Sequence, residues 1–237
     1  MLWIHGGGLV FGSACQDDRL CSETAGELGI TIVSVEYRLA PEAPFPAALD
    51  DATAAWDWIG QHGATLGIDP TRVFLAGESA GGGIAASLAQ RLHDTAERQP
   101  VGQWLFAPML DDRTASRSEL DVIDHPVWNN SANRFGWASY LGVAGGCAVA
   151  PEYAVPARRT DLTGLAPVWL CTGDIELFHD EIADYARRLA EAGVLVELEV
   201  VEGAAHGFEN WAGSTDLAEK LVRRARHWLA TTLAIER

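Results

Sequence analysis

The stretch GESAGG, residues 77–82, follows the apolar run RVFLA, residues 72–76, and precedes a segment with helical periodicity. This order predicts a strand, a sharp turn and a helix, with Ser79 on the turn. Such a turn requires positive φ at the serine and leaves no space for side chains two residues away, which fits Gly77 and Gly81. A serine held in this way can act as a nucleophile. The alternative is a glycine-rich turn that carries a surface serine.

Length and composition predict one soluble globular α/β domain over residues 1–237, since the chain is 48% hydrophobic and 21% charged. A formal charge of −16, from 17 Lys and Arg against 33 Asp and Glu, repels nucleic acids and anionic membranes. No apolar run reaches the roughly 20 residues of a membrane helix, and the basic start of a signal peptide is missing. We therefore predict a cytoplasmic protein with neither nucleic-acid nor membrane partners.

The four cysteines, Cys15, Cys21, Cys147 and Cys171, show neither CxxC pairing nor metal-ligand spacing, and the seven histidines form no HExxH motif. Reduced, structural thiols are the expectation, with a Cys15–Cys21 disulfide as the less favoured alternative. The pattern predicts no metal and no organic cofactor.

Short β-branched runs alternate with longer helical patterns, which is typical of a mostly parallel sheet with helices on both faces. The predicted strands are 2–4, 31–35, 72–76, 102–107, 168–172 and 196–201. The predicted helices are 18–29, 46–62, 80–93, 135–141, 180–192 and 215–233. Gly29 and Gly193 stand where C-terminal capping glycines belong.

Residues 108–167 form an irregular stretch between two predicted strands, rich in Trp, Asn, Pro and Arg. An insertion at the carboxyl edge of a parallel sheet is a place where pockets are built. Its aromatic residues Trp128, Phe135, Trp137 and Tyr140 could line an acyl pocket, but packing within the insertion is the favoured interpretation.

Attack by Ser79 on a carbonyl requires a base, an acid that orients the base, and donors for the developing oxyanion. His206 lies in a loop of small residues after the last predicted strand and is the candidate base. Asp174 and Glu176, after the preceding strand, are both candidate acids. The chain order of nucleophile, acid and histidine is that of α/β-hydrolases.

The segment His5-Gly6-Gly7-Gly8 follows the first predicted strand. Consecutive glycines let backbone N–H groups turn toward a ligand, and Ala80 would add an N–H from a helix N-terminus. Alternatively, such a segment could be a phosphate-binding loop or a turn without a binding role.

Together these motifs resemble the hormone-sensitive lipase family of α/β-hydrolases, the bacterial group IV esterases. Beside HGGG and GESAGG, the resemblance includes YRLAPE at 37–42, FPAALDDA at 45–52 and DLTGL at 161–165. It implies that Ser79 is the nucleophile, His206 the base and the amides of Gly7, Gly8 and Ala80 the oxyanion hole. His5 would hold the glycine segment and take no part in catalysis.

For the acid, the family usually has an aspartate four residues before an Asp-Glu pair, and that pair is Asp180-Glu181 here. Counting back four residues gives Glu176, so the resemblance favours Glu176 over Asp174. A carboxylate that is one methylene longer can still accept a hydrogen bond from Nδ1 of the histidine.

Family members carry several dozen residues before HGGG, including cap helices and two early strands. The resemblance therefore predicts an α/β-hydrolase fold without these elements, in which strand 31–35 forms a sheet edge. Truncation of a longer protein, or a partner chain that covers this edge, is the expectation, and a homodimer is one such partner.

The predicted function is a serine carboxylesterase that acts on small, short-chain acyl esters through an acyl-enzyme on Ser79. An amidase or peptidase with the same triad is one alternative. A non-catalytic small-molecule-binding relative of the fold is the other.

Overall fold

The computed structural model describes residues 1–146 and 149–234. Its central sheet has six parallel strands in the order β2-β1-β3-β4-β5-β6. The strands are β1 (Leu2–Ile4), β2 (Val33–Val35), β3 (Phe74–Glu78), β4 (Gly102–Phe106), β5 (Val168–Gly173) and β6 (Val196–Val201). The predicted parallel sheet is confirmed.

Helices connect the strands and cover both faces of the sheet. They are α1 (Asp18–Leu28), α2 (Ala47–His62), α3 (Ala80–Thr95), α4 (Asn130–Leu141), α5 (His179–Glu191), α6 (Phe208–Trp211) and α7 (Asp216–Thr232). The capping role of Gly29 is confirmed by its left-handed φ of 63°, and Gly193 has a φ of 82°.

Alternation along the strands divides the core into two layers, because successive side chains of a strand point to opposite faces. On one face, Trp3, Trp104 and Trp169 pack with residues of α1 and α7. On the other, Leu75, Leu105 and neighbouring strand residues pack with α2, α3 and α5. Burial on both faces explains the nearly continuous apolar character of the central strands.

Several elements differ from the sequence prediction. Strand β3 is shifted to Phe74–Glu78, because Arg72 belongs to a turn in which its N–H bonds the carbonyl of Asp69. Helix α4 begins at Asn130, five residues early, because the Asn129 side chain accepts from the Ala132 N–H as an N-cap. The short helix α6 was not predicted.

Strand β2 lies at the edge of the sheet and pairs only with β1. This confirms the predicted edge position of strand 31–35, although the strand itself is limited to Val33–Val35. The expected truncation and the cover of this edge stay predictions.

The N-terminal end of α3 lies directly against the end of β1. A Cβ on Gly81 would come within 2.0 Å of the Ile4 carbonyl oxygen. This oxygen belongs to the backbone of β1 and cannot rotate out of the way as a side-chain atom could. Glycine at this position therefore allows the helix to begin beside β1, and the glycine segment 6–8 follows β1 directly.

We expect Gly81→Ala to lower the free energy of unfolding by about 3 kcal/mol or more, because the added methyl overlaps backbone. Gly26→Ala in exposed α1 is the matched control, since nothing lies within 4 Å of a Cβ there. That change should be neutral or stabilise by up to about 1 kcal/mol. Urea unfolding of both variants measures the difference, and equal stabilities would contradict the close packing of α3 on β1.

Candidate functional site

Ser79 occupies a strained turn between β3 and α3. Its backbone has φ 53° and ψ −121°, a conformation that costs about 1–3 kcal/mol in a non-glycine residue. Two hydrogen bonds hold it: the Ser79 N–H donates to the carbonyl of Phe106 at 2.8 Å, and the Met109 N–H donates to the carbonyl of Ser79 at 2.9 Å. The segment after β4 therefore fixes the position of the serine.

Ser79, His206 and Glu176 form one continuous hydrogen-bonded series. Nε2 of His206 lies 2.8 Å from Ser79 Oγ, and Nδ1 lies 2.6 Å from Glu176 Oε2. The remaining carboxylate oxygen, Oε1, accepts from the Thr172 hydroxyl at 2.6 Å. All three residues of the series are buried, with 3–6% of their surface exposed. An ionised carboxylate only accepts, so Nδ1 carries a proton and Nε2 can accept from the serine.

The other candidate acid, Asp174, is exposed and makes a different contact. Its Oδ1 accepts from the Gly203 N–H at 2.7 Å, which ties together the loops after β5 and β6. Only Glu176 of the two acids contacts His206.

The His206 ring is held by its surroundings as well as by the carboxylate. Phe178 packs edge-on against it with ring centroids 5.2 Å apart, and Trp211 Nε1 donates to the His206 carbonyl at 2.9 Å. His62, His93 and His227 lie on helices, away from this series.

The glycine segment after β1 passes beside Ser79. A Cβ on Gly6 would be 3.4 Å from Ser79 Cβ. Gly7 and Gly8 have φ values of 115° and 58°. The Gly7 carbonyl accepts from the amides of Val10 and Phe11, which closes a tight turn.

The amides of Gly7, Gly8 and Ala80 donate no hydrogen bond to any described residue. For Ala80 this follows from its position as the first residue of α3, where the N–H has no intrahelical acceptor. His5 beneath the segment is fully buried and stacks on Tyr37, with ring centroids 4.2 Å apart. The three amides are thus available to a ligand.

A cluster of buried carboxyl groups surrounds the serine turn, and the sequence reasoning missed it. Glu78 and Asp17 are 7% and 1% exposed, and both accept from Nδ2 of Asn210. Burial raises the pKa of Glu78 well above its usual value, and the negative charges of Glu209 and Asp17 raise it further. Burial also raises the pKa of Glu209, to about 7. In the sequence, the cluster was indicated only by Glu78, the acidic residue inside the G-x-S-x-G motif.

Part of the 108–167 segment covers the glycine turn. A Cβ on Gly8 would come within 2.2 Å of the Trp128 ring, and one on Gly136 of α4 within 2.5 Å of the Gly8 carbonyl oxygen. Trp128 is 8% exposed, whereas Phe135 is 59% exposed. Trp128, Trp137 and Tyr140 are therefore packed within the insertion, which was the interpretation favoured from the sequence. Phe135 is exposed and does not follow it.

A cavity of about 430 Å³ opens beside His206. Its wall combines polar and apolar side chains, among them Gln16, Glu78, Val127, Asn210 and Trp211.

Other predicted features concern thiols, metals and membranes. Cys15, Cys21 and Cys171 are free thiols, and Cys147 lies outside the described residues. Across residues 1–146 and 149–234, no group of three His, Cys, Asp or Glu could hold a metal ion. In the same residues, no helix has the length and apolar character that a membrane crossing needs.

The known proteins that this chain resembles include esterases and ester hydrolases. Esterase LipI of Mycobacterium tuberculosis is 34% identical over 224 residues, which cover 94% of this chain and 70% of LipI. Ethyl acetate hydrolase of Pseudomonas putida is 35% identical over 219 residues, covering 88% of this chain and 65% of the relative. Among solved structures, a bacterial heroin esterase superposes with a TM-score of 0.90 at 39% identity, covering 98% of this chain and 74% of that one.

A sequence profile described as the alpha/beta hydrolase fold matches residues 1–210. The matched region contains all six strands, the serine turn and His206. The chain therefore belongs to the α/β-hydrolase fold family.

Proposed function

We propose that this chain is a serine carboxylesterase that hydrolyses small, short-chain acyl esters through an acyl-enzyme on Ser79. The observation that carries the proposal is the series of hydrogen bonds from Glu176 through His206 to Ser79. The relatives support it, since they include an esterase and an ethyl acetate hydrolase.

In the first half of the reaction, Ser79 Oγ attacks the ester carbonyl carbon while Nε2 of His206 takes the hydroxyl proton. The tetrahedral intermediate collapses when the carbon–oxygen bond to the alcohol breaks, and His206 returns the proton to the leaving oxygen. In the second half, His206 takes a proton from water, the resulting hydroxide attacks the acyl-enzyme, and Ser79 leaves with that proton. No metal or cofactor enters either half.

The amides of Gly7, Gly8 and Ala80 stabilise the oxyanion of both intermediates. They have no acceptor among the described residues, and Ala80 adds the favourable end of the α3 dipole. Glu176 stabilises the imidazolium of His206 and holds its tautomer, while the Thr172 hydroxyl orients that carboxylate.

The leaving alcohol departs on the side of His206, because Nε2 must reach the departing oxygen. On the other side, Trp128 packs against Gly8 and limits the space near the oxyanion amides, which favours short acyl chains. The 108–167 segment thus takes part in forming the pocket.

Within the α/β-hydrolases, the motifs HGGG, GESAGG and YRLAPE support membership of the hormone-sensitive lipase group. A cytoplasmic location and a homodimer stay predictions from the sequence.

The proposal is tested with a matched ester and amide, para-nitrophenyl acetate and para-nitroacetanilide. We expect kcat/KM for the ester to exceed that for the amide by about 10³-fold or more, since the weakly basic para-nitrophenoxide leaves with less help from the acid His206 than the anilide nitrogen does. Comparable rates would favour the amidase alternative. Absence of both activities in the folded protein would contradict the proposal.

A further inference from the structure

The residue before the nucleophile carries a buried carboxyl group that the proposed reaction does not use. Glu78 ends β3 and is 7% exposed. Its Oε2 accepts from Nδ2 of Asn210 in α6. Its Oε1 lies against Gly207, where a Cβ would come within 2.5 Å of it. Glu78 therefore contacts the segment that carries His206 from the side of the serine turn.

Asp17 is the second carboxyl group of this contact. Its Oδ2 accepts from Trp3 Nε1 at 2.7 Å, and its Oδ1 accepts from Asn210 Nδ2 at 2.9 Å. Oε2 of Glu78 and Oδ1 of Asp17 therefore accept from the same amide nitrogen, which places the two buried carboxyl groups side by side. Two neighbouring buried carboxyl groups do not ionise together readily, because the charge of one disfavours the charge of the other. Because Asp17 also accepts from Trp3 Nε1, its ionised form is the better stabilised of the two, and we assign the proton to Glu78.

The groups around this pair make a second negative charge unfavourable. Neither carboxyl group forms an ion pair with a cationic side chain of the described residues. The titratable and charged groups that face the pair from the neighbouring elements are His5, Arg19, Cys21, Tyr37, His206 and Glu209. Of these, Arg19 is exposed and directs one guanidinium nitrogen to the Glu209 carbonyl at 3.2 Å. Burial raises the pKa of both Glu78 and Asp17.

The pair joins the three segments on which the proposed reaction depends. Asp17 is the N-cap of α1, which follows the glycine segment. Glu78 directly precedes Ser79, and Asn210 lies four residues after His206. Loss of the Glu78 proton would leave two neighbouring carboxylates in a buried site, and their repulsion would separate these segments.

We propose that Glu78 is a positioning residue for ester hydrolysis: its protonated carboxyl group, bridged to Asp17 by Asn210, holds the serine turn against the His206 segment, and loss of this proton reduces activity at alkaline pH. The proposal rests on the proposed function for its kinetic readout. Glu78 acts through Ser79 and His206 and does not contact the substrate carbonyl carbon.

The kinetic test compares pH profiles of kcat/KM with para-nitrophenyl acetate, corrected for the enzyme-free rate. Wild type should lose activity in a one-proton alkaline step. Glu78→Gln preserves a neutral donor of the same size, so the step should disappear or move up by about one pH unit or more. Glu78→Ala lacks the bridge and should lose about tenfold or more at every pH.

Two controls identify the titrating group. Glu97→Gln alters an exposed carboxylate and should leave the profile unchanged. Glu209→Gln removes the neighbouring carboxyl group of raised pKa, whose negative charge raises the pKa of Glu78, and should move the alkaline step to lower pH without removing it. An alkaline step that persists in Glu78→Gln, or that disappears in Glu209→Gln instead, would overturn the proposal.

A second readout needs no catalysis. Since folding raises the pKa of Glu78, its stabilising contribution is complete below the ordinary glutamate pKa and is lost as pH rises through the raised value. The urea midpoint of wild type should therefore fall as the pH rises through the alkaline step, and that of Glu78→Gln should fall less. Parallel curves would contradict a protonated Glu78. If wild type hydrolyses no ester, the proposed function fails while this measurement still tests the pair.

Discussion

Ser79→Ala is expected to reduce ester hydrolysis by at least about 10⁴-fold, because it removes the only atom that can form the acyl-enzyme. The remaining rate would come from binding and from the amides of Gly7, Gly8 and Ala80, which the substitution leaves in place. Steady-state kinetics with para-nitrophenyl acetate measures the loss. The effect should appear in kcat, since the serine hydroxyl contributes little to binding the ground state.

Urea unfolding of the same variant provides the control. Ser79 Oγ packs at a buried site with a single hydrogen-bond partner, so its removal should change the free energy of unfolding by no more than about 1–2 kcal/mol. A folded Ser79→Ala protein that retains substantial activity would show that the chemistry lies elsewhere.

Glu176→Ala is expected to reduce kcat by about 10³-fold to about 10⁴-fold, because His206 loses the group that fixes its tautomer and stabilises its charged form. Asp174→Ala is the matched control, two residues away in the same loop. Asp174 contacts the Gly203 amide at the exposed surface and not His206. Its removal should change kcat by less than about threefold.

The same two variants distinguish Glu176 from Asp174 as the acid of the series. Loss of activity in Asp174→Ala with normal activity in Glu176→Ala would reverse the assignment. Glu176→Gln separates the loss of charge from the loss of volume, because glutamine has the same size as glutamate. Its amide can place an NH₂ group, which is a donor, against the Nδ1–H of His206. We expect it to be nearly as impaired as Glu176→Ala.

The serine turn could be predicted because its determinants are local. Glycines at 77 and 81, an apolar run before them and a helical pattern after them describe strand, turn and helix within about a dozen residues. His206 was found in the same way, as a histidine in a small-residue loop after a strand. The sheet followed from the alternation of apolar runs with helical patterns.

Features that depend on contacts between distant segments could not be predicted. The start of α4 at Asn130 is different, because it depends on a local asparagine cap in a polar stretch where several residues could serve as caps. The buried pair of Asp17 and Glu78 depends on Asn210, which is 132 residues away from Glu78 in sequence. No periodicity in a single sequence reports such a contact, and the residues alone left Asp174 and Glu176 undecided.

The central claim is that Ser79 is a nucleophile activated by His206 and Glu176. The most direct measurement is the intact mass of the folded protein after treatment with a fluorophosphonate, followed by peptide mapping. We predict a single phosphonyl group on Ser79 in wild type and none in Ser79→Ala. A wild-type protein that stays unlabelled, or a label on another residue, would contradict the account.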